Sequence, residues 1–189
     1  GISICAENNL VVSGAVDYDV GSCSNAGAVF IHNMNSTQWY PQYRITASDL
    51  SANAYFGSSV ALHDSLLLIG SFGDNDNGAY SGSAYIFKRT SIGWQQTVKL
   101  QAPDGAANDF FGNSVAISDS FAIVSSYLSN NGKGAVYIFR KQGNTWPFVT
   151  KIQPTELADT CGFGCSIALN DKYLLIGAPY QSTTGHFAG

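Results

Sequence analysis

Apolar residues along this chain come in short runs, each closed by a turn of Asn, Asp, Ser or Gly, and no stretch sustains helical periodicity. Such runs predict strands. Within residues 55–103, Ser59 to Leu62 reads as a first strand and Leu66 to Gly70 as a second, joined at His63-Asp64-Ser65. Matching turns fall at Glu7-Asn8-Asn9, Ser118-Asp119-Ser120 and Asn170-Asp171-Lys172, rich in the Asn and Asp that accept tight-turn geometry. A longer Gly/Asn/Asp loop leads to a third strand, Ser83 to Phe87, and a turn leads to a fourth, Trp94 to Leu100. Four short strands in hairpin order make an antiparallel meander.

The meander recurs. Phe-Gly pairs at Phe56-Gly57, Phe111-Gly112 and Phe163-Gly164 are 55 and 52 residues apart. Trp39, Trp94 and Trp146 keep the same intervals, and the aromatic third strands at Ala28, Ala84 and Ala135 move with them. Units of about fifty residues follow, approximately 1–54, 55–109, 110–161 and a partial 162–189, within a single domain. Gly1 aligns with Gly57 without its Phe, and the last unit shows first and second strands only. No initiator Met, signal peptide or bilayer-length apolar run is present, which suggests a mature or excised segment.

The faces of the strands say how the meanders pack. In the third strand Ala84 and Ile86 point one way, Tyr85 and Phe87 the other, and the second strand is apolar at every position. A sheet with one wet face alternates, so these sheets are expected to be covered on both sides. Repeated four-stranded sheets stacked face to face are the blades of a β-propeller. The small residues after the second strand (Gly14-Ala15, Gly70-Ser71, Gly177-Ala178) suit the place where blades converge. A stacked β-solenoid is the competing all-β architecture, but its coils are shorter and lack the hairpin meander.

Phe-Gly, the Ser-Val-Ala strand, a Gly-Ala-Pro position, the aromatic strand and Trp, taken together, resemble FG-GAP repeats, and the resemblance covers nearly the whole chain. It implies the seven-bladed propeller of integrin α-subunits and of many extracellular proteins. The literal Gly-Ala-Pro appears only at Gly177-Ala178-Pro179. Integrin-type repeats carry a calcium loop between the Phe-Gly strand and the Gly-Ala-Pro strand. Here that interval holds only the short turns, with no room for several oxygen ligands. The family's calcium sites therefore do not carry over.

Another loop, Gly73 to Gly78, alternates acids before a Gly and makes Asp74 and Asp76 candidate calcium ligands; Asp17 and Asp19 occupy the equivalent loop. Turn formation explains the same residues, and the equivalent loop of the third unit (128–133) has no acid. No cofactor is expected; calcium is the metal candidate, and zinc is disfavoured because no second Cys/His pair has ligand spacing. Net charge is −4 and charged residues make up 12%, against roughly 25% in an average domain. Without a basic cluster, nucleic acid is an unsuitable partner, and no segment is suited to membrane insertion.

Four cysteines point to an oxidising compartment, with Cys5–Cys23 and Cys161–Cys165 as the expected disulfides among three pairings. Asn35-Ser36-Thr37 is a glycosylation sequon in the turn before Trp39. Both fit an extracellular or cell-surface protein. No catalytic constellation is found: there is no Gly-x-Ser-x-Gly elbow and no metalloprotease motif. Asp49, Asp104 and Glu156 each stand seven residues before a Phe-Gly pair, and a once-per-unit acid reads as turn-forming. The sequence therefore predicts a non-enzymatic structural or interaction module. Its expected partners are proteins or further copies of itself, packed head to tail into a filament. A glycan-binding propeller and an accessory domain of a larger secreted enzyme are the alternatives.

Overall fold

A computed structural model describes residues 1–34, 37–155, 161–170 and 172–180. The hairpin turns form where Asn and Asp predict them, with Asn8 (φ 53°) and Asp64 (φ 50°) in the left-handed region. Strands β1 (Ser3–Glu7), β2 (Leu10–Ala15), β3 (Ala28–Met34) and β4 (Trp39–Ile45) make the first sheet. The second contains β5 (Ser59–His63), β6 (Leu66–Ser71), β7 (Ser83–Thr90) and β8 (Gly93–Leu100). The third contains β9 (Phe111–Ile117), β10 (Phe121–Ser126), β11 (Ala135–Arg140) and β12 (Phe148–Ile152). Beyond them β13 (Ile167–Leu169) pairs with β14 (Leu174–Ile176). Within each sheet every strand pairing is antiparallel and sequential, and each third–fourth pair shifts register at one place, such as Ile86/Phe87. Ser129–Gly132 makes one helical turn, broken by left-handed Asn130 and Asn131. This is an all-β chain of propeller blades, three complete and one two-stranded among the described residues.

The cores lie between the blades. One face of the first blade (Leu10, Val12, Val29, Ile31) meets Leu67, Ile69, Tyr85 and Phe87 of the second. The second blade's other face (Leu66, Leu68, Ala84, Ile86) meets Ala122, Val124, Tyr137 and Phe139 of the third. Ala116, Ile123 and Val136 then meet Ile167, Leu169, Leu174 and Ile176. Every contact thus joins a leading face, turned toward the next blade, to a trailing face turned back. The middle blade has no wet face along β6, whose six residues are all buried. Leu68 alone, at 0% exposure, contributes roughly 2 kcal/mol of transfer free energy.

The Phe-Gly pair is the joint. Phe56 pairs in parallel with Gly27 of the preceding blade, and Phe111 with Gly82. The rings are fully buried, Phe56 edge-on to Tyr85 and Phe111 edge-on to Tyr137. Gly82 has φ +82°, and a Cβ there would overlap the backbone of Phe111. At the convergence of β6 with β9, a Cβ on Gly70 would overlap the carbonyl oxygen of Gly112. Ser59 donates its hydroxyl to that oxygen at 2.8 Å, as Ser3 does to the Gly57 oxygen at 2.7 Å.

Candidate functional site

The densest polar cluster grows from one cross-strand pair. On β7 and β8, Tyr85 faces Lys99 in register, and the ammonium lies 5.3 Å from the ring centre. Lys99 Nζ donates to Asp49 and Asp76 at 2.6 Å and to Asp74 at 3.0 Å. The Tyr85 hydroxyl donates to Asp74 at 3.0 Å, and Gln101 donates to Asp76 at 2.8 Å. Asp74 is buried; Asp49 and Asp76 reach solvent. The loop 73–78 enters this cluster because Asp74 Oδ1 accepts the Asp76 amide, folding the loop back on itself.

One ammonium answers three carboxylates in the cluster, leaving it net negative. Burial pulls the Lys99 ammonium down, but its bonds to Asp49, Asp76 and Asp74 outweigh this and hold its pKa above the ordinary lysine value. Burial raises the Asp49 carboxyl, yet Lys99 more than offsets it, and the net shift is downward. Tyr85 is pushed well up by burial first and by the charges of Asp74 and Asp49 second. The three carboxylates are close enough together to hold a cation. Lys99 supplies the positive charge among them, so Asp74 and Asp76, the candidate calcium ligands, are bound to an ammonium. Asp19, from the other candidate loop, accepts the Asn25 amide at 2.8 Å.

The third blade repeats the arrangement. Tyr137 faces Lys151 in register, and Asp104 accepts from the Tyr137 hydroxyl at 2.8 Å and from Lys151 at 2.9 Å. Burial opposes ionisation of Asp104, but Lys151 and Tyr137 prevail and lower its pKa. In the first blade the pair is Phe30 and Arg44, with Arg44 donating to the Tyr18 hydroxyl oxygen at 2.8 Å. The recurring acids Asp49 and Asp104 are therefore more than turn formers. They anchor each connecting loop to a lysine on the blade it enters. Glu156 lies outside the described residues. The lysines went unnoticed in the sequence, although Tyr85 to Lys99 and Tyr137 to Lys151 each span fourteen positions.

Two other regions complete the polar and aromatic surface. At the hairpin ends, His63 Nε2 lies 3.6 Å from Asp119, and Asp64 donates its amide to Glu7 at 2.8 Å. Beside them a cleft of about 350 Å³ opens among Ile123, Ile138, Leu169 and Leu174. Near the Phe-Gly joints, Tyr55, Phe72, Phe110 and Tyr80 form a ladder with centroids 5.1 to 5.6 Å apart. Its rings cover one another's faces, so it ties blades together and offers water mainly ring edges. Tyr55, Tyr80 and Phe110 hold left-handed φ values to do so.

The expected disulfides are absent: Cys5, Cys23, Cys161 and Cys165 are free thiols. Cys5 packs into the core between the first two blades, while Cys23 points toward the Leu50 carbonyl from an outer turn. Burial, reinforced by Glu7 and only partly offset by a Leu62 backbone bond, raises the Cys5 thiol to about 11. Cys161 donates to the Lys133 carbonyl at 3.0 Å, and Cys165 turns toward Ser166 and Gly177. The sequon acceptor Asn35 lies outside the described residues. Of the three tryptophans, Trp146 is buried, Trp94 packs on the first core, and Trp39 is 49% exposed.

No curated protein matches the chain closely enough to count as a relative. The FG-GAP repeat model matches residues 39–87 and 94–139, together half of the chain. Each match starts at a tryptophan and ends at the Phe of a third strand, so the sequence repeat straddles two blades. With its blade meanders and Phe-Gly joints, the chain belongs to the FG-GAP repeat family.

Proposed function

We propose that this β-propeller interaction module is a non-catalytic scaffold of the extracellular space or cell surface, binding protein partners through its loops and blade edges. The observation that carries the reading is the Lys99 cluster. Its carboxylates, which would be the natural acids and bases of an active site, are committed to Lys99 and Tyr85, and the same strut recurs at Asp104. A carboxylate tied into a repeated brace is a poor proton shuttle and a good spacer. FG-GAP proteins are typically found outside the cell or on its surface. Among the described residues no helix is long and apolar enough to cross a membrane.

The test is retention of the fluorescently labelled chain on intact cells, followed by treatment of those cells. Loss of binding after mild surface proteolysis, with none after glycosidase treatment, is the expected result. Loss after glycosidase alone, with matching hits on a glycan array, would replace this reading with a glycan-binding propeller. Turnover of an ester, glycoside or peptide panel would refute the absence of catalysis.

A further inference from the structure

The hairpin turns at one end of the blades carry side chains that the packing does not use. Glu7–Leu10 and His63–Leu66 are equivalent pairs closing the first two hairpins, and Ser118 with Phe121 closes the third. Glu7, His63 and Ser118 therefore share one position in the repeat, and Asn8, Asp64 and Asp119 share the next. Between the first two blades these positions meet across the seam, where Glu7 accepts the Asp64 amide at 2.8 Å. Between the second and third blades His63 stands where Glu7 stood. Alternation along β5 puts His63 on the face of Ala61, which packs on the core shared with the third blade. His63 Nε2 lies 3.6 Å from Asp119 Oδ1. One ligand atom from each of His63, Asp64 and Asp119 lies within 4.8 Å of the other two.

We propose that these three side chains bind a zinc ion that clasps the second blade to the third. The site goes beyond the scaffold reading and does not depend on it. The 3.6 Å separation is too long for a hydrogen bond. It is close to the roughly 3.4 Å between two ligand atoms bonded tetrahedrally to one zinc at about 2.1 Å. Among the described residues no lysine or arginine pairs with Asp64 or Asp119, whereas Asp49, Asp74 and Asp76 hold Lys99 among them. One imidazole nitrogen and two carboxylate oxygens suit zinc, with water completing the set. The same donors are too few for calcium, which takes six to eight oxygens. His63 is 31% exposed and Asp119 77%, so an ion reaches them from water without parting the blades. Glu7, by holding the Asp64 amide, fixes the turn that presents the second carboxylate. Ligand spacing along the chain hides the site, because Asp64 and Asp119 are 55 positions apart and meet only across a seam.

The experiment is calorimetric titration of zinc sulfate into the unaltered chain and two variants, His63→Ala and Asp119→Asn, with urea unfolding of each in zinc and in EDTA. Both positions lie at exposed turns, so the three proteins should unfold alike in EDTA; His63→Gln serves in place of His63→Ala if that variant does not. The four thiols also attract zinc, but all three proteins keep them, so the difference between proteins reports this site alone. The unaltered chain should bind one zinc at least about tenfold more tightly than either variant. Zinc should also raise its urea midpoint relative to theirs, since the ion binds the folded blades. Calcium at the same concentration should neither displace the zinc nor move the midpoint. Equal zinc affinity in all three proteins overturns the inference, as does an unaltered chain whose midpoint responds to zinc no more than the variants do. Displacement of the zinc by calcium at equal concentration overturns it as well.

Discussion

Lys99 shows what a single side chain contributes here. Removing its charge leaves Asp74 buried beside two further carboxylates, so Lys99→Met should cost about 2 to 3 kcal/mol in urea unfolding. Lys151→Met should cost about 1 kcal/mol or less, because its partner Asp104 is largely solvent-exposed and water screens the pair. The pH dependence follows from the shifts. Asp49 and Asp104 are depressed, so their stabilisation is present above the ordinary carboxylate value, about 3.9, and is lost as pH falls through the lower folded values. Lys99 is raised, so its share is present below about 10.4 and is lost as pH climbs through the higher folded value. Cys5 and Tyr85, raised by burial, ionise first in the unfolded chain, so the alkaline fall in melting temperature should set in from about pH 8.5 to 10. Lys99→Met should soften the acid fall most. Alkylation of the native chain followed by mass mapping checks the thiols. Cys165 and Cys23 should label first, Cys161 and Cys5 last, since Cys161 is fully buried and Cys5 resists ionisation.

For the strands, the tightest constraint is backbone against backbone. Gly70→Ala pushes a methyl group into the Gly112 carbonyl where β6 meets β9, and should cost more than about 3 kcal/mol. Gly143→Ala meets a positive φ, which Gly70 lacks, but has open space around it, and should cost only about 1 kcal/mol. Comparing the two by denaturant midpoint separates crowding from conformational strain. These elements were largely legible beforehand. The Phe-Gly spacing, the alternation of Tyr85 and Phe87 against Ala84 and Ile86, and the Asn/Asp turns each carry a local physical signal, and all appear as expected. The lysine struts were not legible, because an acid and a lysine some fifty positions apart meet only once the blade has closed. Composition pointed to bonds among the cysteines but carries no direction, whereas in the fold Cys5 packs on the first core and Cys23 faces the Leu50 carbonyl.

Across the whole molecule, stability should grade with the number of neighbours a blade has. A stack whose units contact only adjacent units opens from its ends. Hydrogen exchange should therefore be slowest in β6 and β7, which lie between two cores, and fastest in β13 and β14 and at the outer edge of the first blade. Uniform protection across all blades would show instead that the stack unfolds as one unit.

The straddling of blades by the sequence repeat also bears on how such a chain can be lengthened. A cut made just after a Phe leaves its ring in the preceding blade's joint and begins the next segment with Gly, so every copied segment carries one whole joint at its end. Inserting a second copy of residues 57–111 directly after Phe111 would regenerate Phe-Gly at the new seam. It would also set the second blade's leading face, Leu66, Leu68 and Ile86, against a duplicate of its own trailing face, Leu67, Ile69 and Tyr85. Those residues already pack with close relatives of one another, so the added blade has a core waiting for it. Tandem duplication within a gene needs no more than this to extend the molecule by one unit without a compensating change.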